Sequence, residues 1–110
     1  MPALVELKNW SKLKWDDGVQ LDDLEEFGTL VIQTENSTYE VTVIDPAEGD
    51  VLVRGGELFP RWTPVVLSGA TFSGGSLLKL HGIYVGFAME LLHEGRQIVT
   101  SPVRFIRRMR

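Results

Sequence analysis

The chain has 110 residues, of which 44% are hydrophobic and 24% charged, a balance typical of one globular domain with its own core. It contains no cysteine, which excludes a disulfide framework, thiol catalysis and cysteine metal sites and suits the cytoplasm. The net charge of −4 is unlike that of a typical nucleic-acid-binding domain. The longest apolar runs are about ten residues, too short to cross a bilayer, and no secretory signal is evident. We therefore predict a cytoplasmic protein with no membrane partner.

Residues 1–27 have a less regular pattern than the rest of the chain. Leucine and tryptophan recur every three positions early in this segment, as on one side of a short helix, whereas the D-D-G sequence at residues 16–18 equally suits a hairpin turn. Trp10 and Trp15 either close one end of the core or anchor a partner. Six acids and no base occupy residues 16–26. We predict an acidic extension at residues 1–27, which is either a solvated end of the chain or a surface that docks on a basic partner, followed by a β domain at residues 28–110.

From residue 29 onward, apolar runs alternate with turn-forming residues, a pattern typical of an all-β protein. β-branched and aromatic residues fill the runs, whereas glycine, proline, asparagine and aspartate cluster between them. Residues 57–63, with Phe59 and Trp62, are predicted as an irregular loop whose aromatic rings either cover the core or contact a partner. Pro102 has no amide donor and marks a bend or an edge in the last strand. About six predicted strands occupy residues 29–34, 38–44, 51–54, 64–72, 78–92 and 97–106.

Residues 78–92 form the longest apolar stretch, and the predicted architecture is organised around it. Read in steps of two, one face is heavily apolar, as expected of a strand with a buried side. The stretch exceeds the usual strand length, and Gly82 and Gly86 offer bends that would let it join two sheets. Short turns and the lack of a long crossover helix predict a small antiparallel barrel, with a β-sandwich as the alternative. The apolar face comprises Ile83, Val85, Phe87, Met89 and Leu91.

Three short segments of the β region carry a resemblance. They are T-E-N-S-T-Y at residues 34–39, G-G-S at residues 74–76 and T-S-P-V at residues 100–103. Together they resemble small uncharacterised bacterial proteins that share T-x-N-S-x-Y, G-G-S and T-S-P-V segments. The resemblance covers residues 29–106. It implies a compact all-β domain and no particular activity.

Few residues form a pattern that indicates catalysis. His81 and His93 are twelve residues apart, which does not match a metal-binding motif. No G-x-S-x-G sequence accompanies the serines, and adjacent carboxylates in a polar segment are typical of a solvated surface. We predict no enzymatic activity, no metal and no cofactor. The alternative is a small enzyme or anion-binding domain in which backbone amides of the turn from Ser73 to Ser76 hold an anion beside Lys79.

The function predicted from these patterns is that of a binding module. The face opposite the main apolar side of residues 78–92 carries further apolar side chains, including Leu80 and Leu92, which indicates a protein partner or a second copy in a homodimer. The alternative is binding of single-stranded nucleic acid, with the C-terminal arginines as the basic surface and aromatic rings as stacking platforms. The predicted partner-binding residues are Trp10, Trp15, Phe59, Trp62, Tyr84, Arg104, Arg107 and Arg108.

Overall fold

The computed structural model describes residues 17–72 and 78–109, and within them it confirms the all-β prediction. These residues form ten strands and one short 3₁₀ turn at Leu21–Asp23. The strands are β1 (Gly18–Gln20), β2 (Thr29–Thr34), β3 (Thr38–Asp45), β4 (Asp50–Gly55), β5 (Phe59–Thr71), β6 (Leu78–Leu80), β7 (Gly82–Tyr84), β8 (Ala88–His93), β9 (Arg96–Val99) and β10 (Val103–Arg108).

The main sheet is antiparallel and open. Its strands lie in the order β10-β2-β3-β4-β5-β8-β9, with β6 paired to the far end of β5, and β1 and β7 form a separate two-stranded sheet. Within the described residues β9 and β10 end the ladder without pairing to each other, which differs from the predicted closed barrel.

The chain between β9 and β10 nevertheless links the two edges of the main sheet. Thr100 donates its backbone N–H to the carbonyl of Met89 at 3.0 Å, so it still lies beside β8. Two residues later the carbonyl of Pro102 accepts from the N–H of Glu35 at 3.0 Å, which is beside the end of β2. Because Pro102 has no donor of its own, the ladder is interrupted where the chain changes partner. This confirms the predicted bend in the last strand.

The core lies between the inward faces of the main sheet. Burial alternates along β3, as expected of a strand with one face on the core and one in solvent. The fully or nearly fully buried side chains of these faces include Leu30, Ile32, Val41, Val43, Val51, Val53, Val65, Leu67, Met89, Leu91 and Val103.

The described part of the predicted extension belongs to this core. In β1, Val19 pairs with Ile83 of β7, and the side chain of Leu21 is fully buried in the main cluster. Phe27 then donates its N–H to the carbonyl of Val43, which ties the segment to β3. Within residues 17–27, Leu21 is thus part of the main core cluster, with Val19 and Leu24 packed against it. Trp10 and Trp15 lie outside the described residues.

The long stretch at residues 78–92 is divided into three strands. His81 has a φ of 54° and separates β6 from β7, while Gly86 has a φ of 94° and lies between β7 and β8. The predicted bend at Gly86 is therefore confirmed, whereas the other bend lies at His81, one residue before the predicted Gly82, which begins β7. Packing excludes a side chain at Gly82, since a Cβ there would lie 2.5 Å from Cε1 of Tyr84.

The predicted loop at residues 57–63 is mostly strand. β5 begins at Phe59 and continues for 13 residues, although Pro60 and Pro64 fall within it. β8 borders β5 only from Val66 onward, so on that side the earlier part faces no described strand, a position where missing amide donors are tolerated.

We expect Leu21→Ala to lower the free energy of unfolding by about 2–5 kcal/mol, because it removes a fully buried side chain from a packed cluster. Urea denaturation of the full chain measures this change. The exposed Leu80 provides the control, and Leu80→Ala should change the value by no more than about 0.5 kcal/mol. Equal effects of the two substitutions would contradict the assignment of residues 17–27 to the core.

Candidate functional site

An apolar groove occupies the outer face of β4, β5 and β8. Strand pairing places Leu52 beside Pro64 and Val66 beside Leu92, and these side chains point away from the core. Ile44 from the end of β3 completes the apolar lining. The volume of this outer groove is about 540 Å³, within the range of pockets that hold ligands or partner side chains.

The outer groove departs from the usual polar exterior of an antiparallel sheet. An exterior face is normally polar when only the interior face is buried, yet Leu92 remains 42% exposed here. A contiguous exposed apolar surface of this kind is typical of a contact site. The sequence carries the corresponding signal, because residues 51–53 and 64–67 are continuous apolar runs instead of alternating ones. We did not predict Leu52, Pro64 or Val66 as contact residues.

The charges that line the outer groove are both negative. Asp50 pairs with Val66 across the β4–β5 ladder, and Glu94 occupies the β8–β9 turn. No lysine or arginine lies among the described residues that line the groove. A positively charged group that enters it would therefore meet two carboxylates.

Trp62 is the one predicted aromatic contact residue that the described structure places near the outer groove. It lies two residues before Pro64 on the same strand, so the two side chains point to the same face. The guanidinium of Arg54 lies 4.6 Å from the ring centroid of Trp62, and Arg54 also forms an ion pair with Glu40. The arginine therefore covers one side of the indole ring.

Two other predicted contact residues are buried. Phe59 is 1% exposed, and its ring meets the ring of His93 edge-on, with centroids 5.8 Å apart. It therefore covers the core, which is one of the two roles predicted for it. Tyr84 is 7% exposed, and its hydroxyl accepts a hydrogen bond from Nε2 of Gln20 at 3.0 Å. Neither ring is available to a partner in this conformation.

The predicted arginines all lie on β10, and two of the three lie near acidic residues. Arg104 forms an ion pair with Glu35 at 2.6 Å, and Arg108 lines a surface groove together with Glu25 and Glu26. Arg107 is exposed. These acids reduce the positive potential that a nucleic-acid phosphate would encounter, and the buried ring of Tyr84 is not available for base stacking.

We expect no saturable binding of an oligothymidine to the full chain at low ionic strength, because nearby carboxylates offset the arginine charges. Fluorescence anisotropy measures this directly. Saturable binding that weakens steeply with added salt and disappears in Arg107→Glu would restore the nucleic-acid interpretation.

A second groove lies beside β9. One wall is formed by Ile98, Val99 and Thr100, and the other walls by the β2–β3 and β4–β5 turns. Leu58 is 61% exposed at its rim, and Glu57 is its one charged residue among those described. We call this the edge groove; its volume is also about 540 Å³, and it shares no lining residue with the outer groove.

A network of hydroxyl groups joins two of the segments that carry the resemblance. Ser101 donates from its Oγ to Oγ1 of Thr34 at 2.8 Å and accepts the N–H of Asn36 at 3.0 Å. Oγ1 of Thr34 in turn donates to the carbonyl of Ser37 and accepts that residue's N–H, each at 3.1 Å. Oγ1 of Thr100 accepts the N–H of Met89 and donates to the carbonyl of Ser101.

Each hydroxyl in this network both donates and accepts a hydrogen bond within the protein. Thr34 is almost fully buried, so its hydroxyl depends on these partners. The T-E-N-S and T-S-P-V segments are therefore held together by bonds that fix the path of the chain.

We expect Thr34→Val and Ser101→Ala to destabilise the protein by about 1–3 kcal/mol each, because each leaves a partner without its hydrogen bond. The double variant should show a coupling energy of about 1 kcal/mol in a double-mutant cycle measured by urea denaturation. Thr42→Val is the control, since the hydroxyls of Thr42 and Thr29 pair at a half-buried position on the outer face. Purely additive effects at Thr34 and Ser101 would contradict a shared structural role.

The groups that were considered for catalysis or metal binding are dispersed in the described structure. In residues 17–72 and 78–109, no group of three or more histidine, aspartate or glutamate side chains is placed to hold a metal ion. His93 has a buried Nδ1 with no hydrogen-bond partner, and its Nε2 lies 3.8 Å from Glu94. The turn from Ser73 to Ser76 lies outside the described residues.

Comparisons with protein-family models, curated proteins and solved structures found no match. The resemblance to small bacterial proteins therefore stays a prediction. Over the residues that the structure describes, no helix has the length and apolar character needed to span a membrane.

Proposed function

We propose that this domain is a non-enzymatic protein-binding module that contacts its partner through the outer groove. The observation that carries the proposal is an apolar face, lined by Leu52, Val66 and Leu92, that no described element covers, on a sheet whose opposite face already forms the core. The partner segment presents apolar side chains to these residues. A lysine or arginine on the same segment lies against Asp50 and Glu94.

The acidic lining favours a different protein over a second copy of this chain. In a two-fold symmetric dimer the same patch faces itself. Asp50 and Glu94 of both copies would then lie in one interface, with no base among the described lining residues to offset them. The charge pattern therefore supports a partner of opposite sign, and the homodimer is the less favourable version of the earlier prediction.

The non-enzymatic part of the proposal is supported by what the hydroxyl groups do. Those of Thr34, Thr100 and Ser101 are engaged in backbone and side-chain hydrogen bonds on both their donor and acceptor sides. The outer groove contains two carboxylates and no histidine, serine or threonine among its described residues, so it offers contact surface in place of a nucleophile with a base. A cytoplasmic location stays a prediction that rests on the absence of cysteine.

A library of short random peptides displayed on phage tests this proposal when selected against the full chain. We expect enriched peptides to combine apolar side chains with lysine or arginine. Their affinity, measured by calorimetry, should fall at least about tenfold in Leu52→Asp, which places a charge in the apolar lining. Asp50→Lys should weaken binding by a smaller factor and reduce its dependence on salt.

The matched control is Leu80→Asp, which places the same charge on an exposed leucine outside the outer groove. It should leave peptide affinity unchanged. The proposal is refuted if no peptide is enriched, or if the enriched peptides bind Leu52→Asp and Leu80→Asp equally well.

A further inference from the structure

The outward edge of β9 carries backbone groups without a partner strand. β9 ends the strand order of the main sheet, with β8 on one side and no described strand on the other. The N–H of Thr100 points toward β8, since it donates to Met89. Backbone groups of alternate residues in an antiparallel strand point to opposite sides. The N–H and carbonyl groups of Gln97 and Val99 therefore point away from β8, and Val99 lines the edge groove.

The edge groove surrounds this row of backbone groups with both apolar and charged contacts. Val99 is 43% exposed, and Leu58 projects from the β4–β5 turn at the rim. Glu57 provides a negative charge beside Leu58. The β2–β3 turn, with Asn36 and Ser37, closes another side. The groove is thus bounded by a strand edge and by two turns.

We infer that the edge groove binds one extended segment of a partner protein, which adds to the main sheet as a strand beside β9. Main-chain hydrogen bonds to Gln97 and Val99 supply the register, as in other cases of strand addition. An apolar side chain of the segment contacts Val99 and Leu58, and a lysine or arginine pairs with Glu57. This site is independent of the outer groove.

The charge of the groove argues against a second copy as the occupant. In a two-fold pair of copies the same groove faces itself. Glu57 of each copy would then lie in an interface whose described lining residues include no lysine or arginine to offset it. An extended segment of a different protein is free to supply that base.

Proline substitution tests the backbone contact directly. Val99→Pro removes an N–H that points into the edge groove and leaves the β8–β9 hydrogen bonds intact, a position at which an edge strand tolerates proline. Val99→Thr is the matched control, because it keeps the N–H and a β-branched side chain. Peptides selected from the same random library on the full chain are the probes, and calorimetry measures their affinity for each variant.

We expect a class of peptides that bind Val99→Pro at least about tenfold more weakly than the unsubstituted chain and bind Val99→Thr within about threefold of it. Hydrogen exchange should show fast exchange of the Gln97 and Val99 amides in the free protein and protection of both in the complex, with Ile98 and Thr100 protected throughout. Leu58→Asp, on the rim, should weaken binding of the same peptides. This second test does not depend on whether β9 tolerates proline.

The results separate the two binding sites. Peptides that respond to Val99→Pro and Leu58→Asp but not to Leu52→Asp establish the edge groove alone. Peptides that respond only to Leu52→Asp overturn strand addition and leave the outer groove supported. Protection of the Gln97 and Val99 amides in the free protein would also overturn the inference, because the edge would already be paired.

Discussion

The fold depends on how the chain crosses from one edge of the main sheet to the other between β9 and β10. At Thr100 it is bonded to β8, and at Pro102 it is bonded to the segment that follows β2. Between these two points, the hydroxyl of Ser101 donates a hydrogen bond to the hydroxyl of Thr34, which holds the crossing segment against β2. Because Val103 then enters the core with no exposed surface, a shift at the crossing would move an apolar side chain out of its place. The crossing therefore determines both the position of β10 and the closure of the core at this end.

The same crossing lies where the ladder of the main sheet ends among the described residues. A closed ladder needs consecutive backbone groups on both sides of the last strand, and Pro102 interrupts them. The chain instead uses hydroxyl groups to satisfy the backbone of the T-E-N-S turn, where Asn36 and Ser37 donate to Ser101 and Thr34. Side-chain hydrogen bonds thus replace a missing part of the ladder. Beyond the crossing, the outward edge of β9 faces no strand among the described residues.

Residue alternation made much of the fold predictable from the sequence. The strands at residues 30–34 and 38–44, the turn between His93 and Arg96, and the bends at Gly86 and Pro102 all follow from local pattern or backbone restriction. Local pattern does not determine long-range pairing, however. Val19 and Ile83 are 64 residues apart, and nothing near either one shows that β1 pairs with β7. The role of Leu21 in the core was missed for this reason.

The candidate sites were harder to predict because exposure depends on the assembled sheet. Phe59 and Trp62 are three residues apart in β5, yet one fills the core and the other lies outside under Arg54. The aromatic character of the two side chains does not distinguish these positions. Leu52 and Pro64 meet only when β4 and β5 pair, so an apolar surface made by both strands is not visible in either stretch alone. The continuous apolar runs around them were the available signal.

The β8–β9 hairpin connects the outer groove with the edge groove. Its turn residues Glu94 and Gly95 both have positive φ, at 51° and 78°, a geometry that matches the twist of paired strands. With that register, burial of Leu91 places Leu92 on the outer face, where it lines the outer groove. The same register directs the backbone of Gln97 and Val99 away from β8. The outer groove therefore follows from the alternation of side chains along β8. The edge groove follows from the alternation of backbone groups along β9. An edge of four residues between two turns is short enough to limit unwanted sheet growth, yet long enough to hold one added strand.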